Sequence, residues 1–464
     1  MADDIYLMGI AGTGMGALAG LLKSLGHNVR GSDEHVYPPM SDKLREWQIP
    51  VLEGFDAAHL DRRPDRVIVG NVIRRDNPEA ARARQDEIPT LSMPQAVAEY
   101  GIGDKHALVI AGTHGKTTIT ALVAHLLMAA GKDPGFLVGG ALLNYPESFR
   151  AGAGGFFVVE GDEYDTAYFD KGPKFVHYRP RTAVITSLEF DHADIYDSIE
   201  SIETSFRKLL DALPEDGGHA VVWKGAERAV RLAQASGRSV SLYHESEPAD
   251  LTLAQHRTGP EGLTFEPIVG GRSLGEMQVA LWGRFSANNV LAAIGCALDA
   301  GLSAEEIRTG FASFKGVKRR MEVRGRPRGI TVVDDFAHHP TAIRETLSAA
   351  RERWPDARMW AVFEPRSATT RRNIFQDVLV EAFAPADRVV IGSHARLNEI
   401  DASERFSPEK LAAALEGRGA WARAIPSVDD IVAAIVSEGR SGDVVMVCSN
   451  GAFDGLHRKL LDAL

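Results

Sequence analysis

A short glycine-containing loop limits the possible fold of this chain more than any other feature of its sequence. The loop has the sequence Gly-Thr-His-Gly-Lys-Thr-Thr at residues 112–118. The apolar run at 108–111 predicts a buried strand before the loop, and the residues from Lys116 onward predict a helix after it. A strand, a glycine loop and a helix in this order place backbone N–H groups and a helix N-terminus against an anion.

The side chains of the loop indicate a nucleotide phosphate as that anion. Lys116 can reach terminal phosphates, and the hydroxyl of Thr117 can bind Mg²⁺. In the commoner GxxxxGK pattern the first glycine would stand at position 110, which is isoleucine here. A chance glycine turn before a helix is the alternative, but all the parts occur in the required order. The predicted ATP-binding residues of this loop are Gly112, Thr113, His114, Gly115, Lys116, Thr117 and Thr118.

The wider pattern predicts an α/β fold with three αβ domains. At roughly 150 residues per domain, 464 residues suggest about three domains. Short β-branched runs alternate with amphipathic stretches, which is typical of parallel α/β layers. We expect Rossmann-like first and third domains at 1–104 and 323–464. The P-loop ATPase domain between them, at 105–322, should combine a parallel sheet with a small antiparallel sheet from the glycine-punctuated runs at 239–282.

A second glycine loop, Gly-Ile-Ala-Gly-Thr-Gly-Met-Gly at 9–16, follows the first predicted strand and opens a helix. Asp33 ends the next predicted strand. This pattern is a dinucleotide fingerprint and by itself favours an NAD-dependent oxidoreductase. Its physics requires only a diphosphate at a helix N-terminus, and an oxidoreductase would leave the Lys116 loop unexplained.

Composition excludes several other classes. The formal net charge of −11 argues against nucleic-acid and anionic-membrane partners, which need basic patches. Cys296 and Cys448 form no CxxC pair, so a disulfide framework or a cysteine zinc site is not expected. The N-terminus lacks the features of a signal peptide, and polar residues interrupt the apolar stretch at 119–130. We therefore expect a cytoplasmic protein.

The shortened nucleotide loop resembles that of the Mur ligase family, which includes folylpolyglutamate synthetase. In Val-Val-Glu-Gly-Asp-Glu, Glu160 matches the family's magnesium carboxylate, with Glu163 as the alternative ligand. In Glu-Phe-Asp-His, His192 matches the accompanying histidine. The resemblance thus implies an Mg²⁺ site at Thr117, Glu160 and His192, and catalytic roles for Lys116, Glu160 and His192.

Further matches imply contacts with the rest of ATP. In Gly-Arg-Phe-Ser-Ala-Asn-Asn at 283–289, Asn289 matches the family asparagine that contacts adenine. Phe285 and Ser286 replace the family's histidine and first asparagine, so those two roles are not carried over. Arg320 matches an arginine that approaches the phosphates, and Asp335 matches an aspartate associated with the ribose.

The resemblance also gives the first glycine loop a ligand. In muramate-binding members of the family this loop holds the diphosphate of a uridine-diphosphate sugar. The implied substrate-binding residues are Gly12, Gly14, Ser32 and Asp33, with Asn71 as a weaker candidate.

The implied activity is ATP-dependent, ADP-forming amide-bond synthesis through an acyl phosphate, in peptidoglycan metabolism. Longer matches, such as those at 36–41 and 188–195, favour members that join UDP-N-acetylmuramate to the murein tripeptide L-alanyl-γ-D-glutamyl-meso-diaminopimelate during recycling. The alternative within the family is joining to free L-alanine in de novo synthesis. A binding module that senses a cell-wall nucleotide without turnover would have no need of Glu160 and His192.

Two groups of residues in the third domain are candidates for binding the peptide or for deprotonating its amine. Arg366, Ser367 and the pair Asn450-Gly451 lie at predicted strand ends, where a cleft is expected. Apolar packing or capping is the alternative explanation for these residues. His338 or His339 could deprotonate the incoming amine, although a structural role for this histidine pair is an equal alternative.

Overall fold

The computed structural model describes residues 2–190, 195–393 and 400–464. Over these residues the chain forms three sheets, each with its own helices, which confirms the predicted α/β class with three domains. The first sheet ends at Ser92 and the second begins at His106; the second ends at Val279 and the third begins at Glu322. The domain limits at 104 and 322 stay predictions.

The first domain is a five-stranded parallel sheet, within residues 2–104, in the order β3-β2-β1-β4-β5. Its elements are β1 (Asp4–Met8), α1 (Thr13–Ser24), β2 (Asn28–Asp33), α2 (Met40–Glu46), β3 (Val51–Glu53), β4 (Arg66–Val69), α3 (Pro78–Gln85), β5 (Thr90–Ser92) and α4 (Met93–Ala96). The strand order reverses at β1, and ligands of such sheets bind at the carboxyl edge of that reversal. Gly12 follows β1, Asp33 ends β2 and Asn71 follows β4, so all three lie at this edge.

The middle domain is built on a larger mixed sheet. Its elements are β6 (His106–Ala111), α5 (Lys116–Ala129), β7 (Gly135–Leu137), β8 (Phe149–Arg150), β9 (Phe156–Gly161), β10 (Thr182–Ile185), α6 (Ile199–Asp211), β11 (His219–Trp223), α7 (Glu227–Ala235), β12 (Ser239–His244), β13 (Leu251–Gly259), β14 (Gly262–Val269), β15 (Arg272–Ser273), β16 (Met277–Val279), α8 (Arg284–Asp299) and α9 (Ala304–Ser313). Strands β7-β9-β6-β10-β11-β12 run parallel. The antiparallel part predicted at 239–282 begins later than expected, because β12 pairs parallel with both β11 and β13. The strands after β13 are antiparallel, and they continue the parallel sheet as its edge instead of forming a separate sheet.

The third domain has the strand order β17-β18-β22-β19-β20-β21, and only the β17–β18 pair of these strands is antiparallel. Its elements are β17 (Glu322–Gly325), β18 (Thr331–Asp335), α10 (Pro340–Arg353), β19 (Met359–Phe363), α11 (Val378–Ala382), β20 (Arg388–Ile391), α12 (Pro408–Glu416), β21 (Trp421–Ala424), α13 (Val428–Glu438), β22 (Val444–Cys448) and α14 (Leu456–Ala463). Buried runs such as Met359–Phe363, which lie between helical layers on both faces, explain why the strands carry continuous apolar sequence.

The first two domains share one apolar core. Buried side chains of the first domain, including Leu21 of α1, belong to the same cluster as Phe149 of β8 and Phe157 of β9. At the edge of this contact, Lys43 Nζ and Trp47 Nε1 both donate to Glu147 Oε1, at 3.1 and 3.3 Å. The first domain is therefore packed against the middle domain through a common hydrophobic interior.

The third domain has apolar clusters of its own, and its contact with the middle domain includes both apolar and polar side chains. Trp282 and Phe285, which precede or open α8, pack partly against that core. The guanidinium of Arg353 lies 3.5 Å from the centroid of the Trp282 ring, a cation–π contact. No helix among the described residues is long and apolar enough to span a membrane.

Candidate active site

The carboxyl ends of strands from all three sheets open into one continuous cleft of about 2710 Å³. A single drug-sized ligand occupies roughly 300–1000 Å³, so the cleft has room for more than one substrate. The predicted site residues that line it are Gly12, Gly14, Asp33, Asn71, Thr113, His114, Gly115, Lys116, Thr117, Thr118, Glu160, Asn289, Arg320 and Asp335. Gly112 and Ser32 are buried beside the cleft, and His192 lies outside the described residues.

The nucleotide loop has the predicted strand–loop–helix geometry. It joins β6 to α5, and Gly115 caps the helix with a left-handed φ of +82°. The N–H groups of Thr113 and His114 donate to the carbonyl oxygen and hydroxyl of Ser187, at 3.1 and 3.0 Å, and so fix the loop to the end of β10. The first N–H groups of α5 have no acceptor within the helix and are available to an anion.

Gly112 is the residue of the loop that is least tolerant of a side chain. Its φ is +124°, and a Cβ there would lie 2.1 Å from Thr186 Oγ1 and 2.8 Å from the Ser187 nitrogen. We expect Gly112→Ala to lower the free energy of unfolding by about 3 kcal/mol and to raise the KM for ATP, because backbone strain and overpacking add.

Gly131 provides the matched control for this substitution. It has a left-handed φ of +70° just after α5, but nothing lies within 4 Å of a Cβ built there. Gly131→Ala should therefore lose only about 1 kcal/mol from the backbone term and leave the KM for ATP unchanged. Equal stability losses in the two variants, measured by urea unfolding, would contradict the steric argument.

Thr117 and Glu160 form the oxygen pair expected of a magnesium site. The Thr117 hydroxyl donates to Glu160 Oε2 at 3.0 Å, and the Gly139 N–H donates to Oε1 at 2.5 Å. Oxygens on adjacent positions of octahedral magnesium lie roughly 2.9 Å apart, which these two already approach. Burial raises the pKa of Glu160, and the nearby charge of Asp162 raises it further. A bound divalent cation would relieve both effects, so the residues fit the ion.

Lys116 is held by carboxylates instead of projecting freely into the cleft. Its Nζ lies 3.1 Å from Glu163 Oε2 and 3.9 Å from Asp162 Oδ1. Asp162 also accepts from Lys174 Nζ at 2.9 Å. Burial opposes ionisation of Asp162, but the two lysines outweigh it and lower the pKa of that carboxyl to about 2. Glu163 is thus the partner of Lys116, while Glu160 is the carboxylate beside Thr117.

Lys174 was not among the predicted site residues. It lies in a short 3₁₀ helix, Lys174–Tyr178, and its ammonium lies 4.3 Å from the centroid of the Tyr164 ring. No local pattern distinguishes this lysine from other lysines of the chain. Its role in holding Asp162 depends on a contact between segments that only the fold brings together.

Asn289 and Trp223 both line the cleft, and Asn289 lies beside Gly115 of the nucleotide loop. Asn289 is buried on α8, and its Nδ2 has no hydrogen-bond partner among the described residues. Trp223 ends β11, and its Nε1 likewise lacks a partner within the described chain. A buried donor without an acceptor costs about 1–3 kcal/mol, so a ligand acceptor is expected here. Sequence analysis identified Asn289 but not Trp223, since a tryptophan at a strand end carries no signal of its own.

Arg320 and Asp335 meet at the start of the third domain. Arg320 Nη2 lies 3.4 Å from the Thr117 hydroxyl, and its guanidinium lies 4.8 Å from the centroid of the Phe336 ring. Asp335 is buried and accepts the N–H groups of Met321 and Ala337, at 2.7 and 2.8 Å. Arg320 therefore reaches the phosphate loop, whereas Asp335 fixes the backbone of the junction. Its contact with a ribose stays a prediction.

The first glycine loop presents its exposed residues Gly12, Thr13 and Gly14 at the start of α1. Asp33 Oδ2 accepts the N–H of Ala11 at 2.9 Å, so this carboxylate holds the loop in place. Ser32 is fully buried, and its hydroxyl donates to Glu79 Oε2 at 2.6 Å on the other side of the strand. Ser32 thus faces away from the cleft, and its role in substrate binding stays a prediction.

Arg366, Asn450 and Gly451 line the part of the cleft that belongs to the third domain. Asn450 Oδ1 is buried and has no hydrogen-bond partner among the residues that the structure describes. Ser367 instead accepts the N–H of Thr370 at 3.1 Å and caps a turn. A guanidinium beside a free amide oxygen suits a ligand that carries both a carboxylate and an N–H group.

A third cluster joins the middle and third domains across the nucleotide loop. Glu189 Oε1 lies 3.4 Å from His114 Nε2, and Glu189 Oε2 lies 3.8 Å from His339 Nδ1. The Thr341 hydroxyl donates to the same Oε2 at 2.8 Å. Burial raises the pKa of Glu189, but His114 and Thr341 outweigh it and lower that pKa to about 2. The sequence offers His339 either as a possible base or as a structural residue, and nothing in it points to the contact with Glu189.

Comparison with family models covers most of the chain. Residues 4–102 match the Mur ligase family catalytic domain, residues 110–297 match the Mur ligase middle domain, and residues 319–451 match the Mur ligase glutamate ligase domain. The three matches follow one another in the order of the three sheets.

Individual relatives agree with these matches. The chain is 38% identical to the UDP-N-acetylmuramate–L-alanyl-γ-D-glutamyl-meso-2,6-diaminoheptandioate ligase of Escherichia coli, over 99% of this chain and 98% of that protein. It is 32% identical to the UDP-N-acetylmuramate–L-alanine ligase of Desulfotalea psychrophila, over 96% and 95% of the two chains. A crystal structure of murein peptide ligase from Psychrobacter arcticus superposes with a TM-score of 0.74 at 34% identity, covering 99% and 98% of the two chains.

Proposed function

This chain belongs to the Mur ligase family, and we propose that it uses ATP to join UDP-N-acetylmuramate to L-alanyl-γ-D-glutamyl-meso-diaminopimelate. The observation that carries the proposal is the continuous cleft, which a phosphate loop, a diphosphate loop and the Arg366 region all line. An oxidoreductase would use only one of these three parts. The substrate assignment is supported by the greater identity to the tripeptide ligase of Escherichia coli than to the alanine ligase of Desulfotalea psychrophila.

In the first half-reaction the lactyl carboxylate of the sugar nucleotide attacks the γ-phosphorus of ATP, which gives an acyl phosphate and ADP. The N–H groups at the start of α5 bind phosphate oxygens, and Lys116 leaves Glu163 to neutralise charge on the transferring group. Magnesium held by Thr117, Glu160 and His192 would supply further positive charge to these oxygens. Arg320, which already reaches the Thr117 hydroxyl, adds a guanidinium from the third domain.

In the second half-reaction the peptide amine attacks the acyl carbon, the amide forms and phosphate leaves. Arg366 binds a carboxylate of the peptide and Asn450 Oδ1 accepts one of its N–H groups. Acyl phosphates hydrolyse readily, so the site must exclude water while the amine approaches. The contacts of Arg320 and Glu189 across the domain junction hold the third domain over the nucleotide loop during this step.

Phosphate release tests the substrate assignment. With ATP, Mg²⁺ and UDP-N-acetylmuramate, we expect kcat/KM for the tripeptide to exceed that for L-alanine by about 10²-fold or more. The free amino acid has no peptide N–H for Asn450 to accept and no carboxylate beyond the alanyl residue for Arg366 to bind. Reactions without the sugar nucleotide give the ATPase background. Preference for L-alanine would assign the chain to de novo synthesis instead. Absence of turnover with either acceptor would favour a nucleotide-sensing module.

A further inference from the structure

We propose that His114, Glu189 and His339 form a binding site for a transition-metal ion of the zinc class, separate from the predicted magnesium site. Each residue offers one donor atom, and these atoms all lie within 4.8 Å of one another. Among the described residues this is the one group of three or more histidine, cysteine or acidic side chains with such spacing. The cluster combines a loop of the middle domain with the start of α10.

The distance between His114 and Glu189 already suits a tetrahedral ion. Two donors at about 2.0–2.2 Å from one zinc ion lie roughly 3.3 Å apart. His114 Nε2 and Glu189 Oε1 are separated by 3.4 Å. His114 Nε2 is buried and makes no hydrogen bond within the described part of the chain, so its lone pair is available to a ligand. A metal ion bound by both atoms would take the place of the proton that an ion pair between His114 and Glu189 needs.

The donor types favour zinc over magnesium. Two imidazoles and one carboxylate are the ligand set of many zinc sites that keep a fourth position open. Magnesium prefers oxygen ligands in octahedral geometry, which Thr117 and Glu160 supply elsewhere in the cleft. Millimolar Mg²⁺ should therefore compete poorly for the histidine site.

Neighbouring groups already orient the three ligands. The Thr341 hydroxyl donates to Glu189 Oε2, which leaves Oε1 directed toward His114. The His339 ring packs edge-on against Phe375, with 4.8 Å between centroids. Outer groups of this kind fix ligand geometry in metal sites. Binding through His339 Nδ1 would replace the long 3.3 Å hydrogen bond from the Thr341 N–H.

An ion at this site would connect the nucleotide loop to the third domain. His114 belongs to the phosphate loop, and His339 caps the first helix of the third domain. One ion bound to both would hold the third domain against the loop that must accept and release nucleotide. Micromolar zinc should therefore slow turnover reversibly in the presence of magnesium.

Titration of the full chain with ZnCl₂ in millimolar Mg²⁺, followed by calorimetry, tests the site without any turnover. We expect one high-affinity zinc site per chain, and Co²⁺ in its place should give the strong visible absorption of a four-coordinate ion. His339→Ala and Glu189→Gln should each weaken zinc binding by about 100-fold. Glu189→Gln keeps the shape of the side chain, so it decides the matter if the alanine variant folds poorly.

Two comparison variants make the result specific. His338→Ala removes the adjacent histidine, which also lines the cleft, and should keep the full zinc affinity. His192→Ala alters the predicted magnesium site. Zinc binding that is lost with His192 but kept without His339 would overturn the proposal, as would a wild-type protein that binds no zinc. Because the readout is metal binding, either result is independent of which acceptor the ligase uses.

Discussion

Replacing Lys116 by alanine is expected to lower kcat for ADP formation by about 10³-fold or more, while the dissociation constant for UDP-N-acetylmuramate changes less than about twofold. Lys116 is the cation at the start of α5, where we propose that the phosphates of ATP bind, and the glycine loop proposed for the sugar nucleotide lies in another domain. ADP formation by coupled assay and sugar-nucleotide binding by calorimetry separate the two effects.

The folding of this variant needs its own control. Lys116 neutralises Glu163 and Asp162, and without it Asp162 retains only Lys174. Lys116→Arg keeps the charge but replaces a compact ammonium by a planar fork, so it should fold normally and remain strongly impaired. Lys171→Ala removes an exposed lysine paired with Asp165 and should retain full activity. A Lys116→Ala protein that forms ADP at the normal rate would refute the assignment of the nucleotide loop.

Glu160→Gln is expected to lower kcat by about 10²–10³-fold and, unusually for an active-site change, to leave the protein equally or more stable. Burial and Asp162 raise the pKa of Glu160, so above that pKa the ionised carboxylate costs folding free energy that a neutral glutamine does not. Stability from such a group is gained as pH falls and lost as pH rises through the raised pKa. Thermal unfolding without ligands measures the stability of the wild type and the variant. Adding Mg²⁺ and ATP should then raise the Tm of the wild type more than that of the variant.

Glu163→Gln is the matched comparison, because the sequence left Glu160 and Glu163 as alternatives. Glu163 pairs with Lys116, whereas Glu160 contacts the Thr117 hydroxyl. We expect Glu163→Gln to leave the magnesium concentration for half-maximal rate unchanged, and Glu160→Gln to raise it. The reverse pattern would identify Glu163 as the magnesium ligand.

The parts of the site that the sequence predicted well are local. The strand before the nucleotide loop was predicted at 108–111 and extends over His106–Ala111, with the helix beginning at Lys116 as expected. The conformation of such a loop depends on neighbouring residues alone, because the strand, the glycines and the start of the helix follow one another along the chain. The first loop, at 9–16, was predicted for the same reason.

The alternation of side chains along a strand explains the difference between Ser32 and Asp33. Neighbouring residues of a strand point to opposite faces, so only one of such a pair lines a given side of the sheet. Ser32 bonds to Glu79, a residue 47 positions away, while Asp33 bonds to the loop at Ala11. The sequence placed both residues at the correct strand end. It gave no sign that Glu79 is the distant partner of Ser32, and so could not show which of the two side chains lines the cleft.

Contacts between domains could not be predicted from the sequence either, because they also join residues that are far apart along the chain. Thr341 donates to Glu189 across 152 residues of sequence, and Arg320 reaches Thr117 across 203. Neither pair has a periodicity or spacing that marks it. The resemblance to the Mur ligases identified Arg320, whereas the connection of His339 to Glu189 became visible only once the third domain was packed against the nucleotide loop.

The hydrophobic interior common to the first two domains has a consequence for how this enzyme can be rebuilt. The glycine loops proposed for the sugar nucleotide and for ATP lie in separate stretches of the sequence. This separation suggests that the first domain could be exchanged for the first domain of a relative. Here such an exchange would divide the apolar cluster that Leu21 shares with Phe149 and Phe157 and leave two mismatched apolar faces. The third domain, with a core of its own, is the transplantable part. Under the proposed function, a change of acceptor is therefore expected to be easier to engineer than a change of sugar nucleotide.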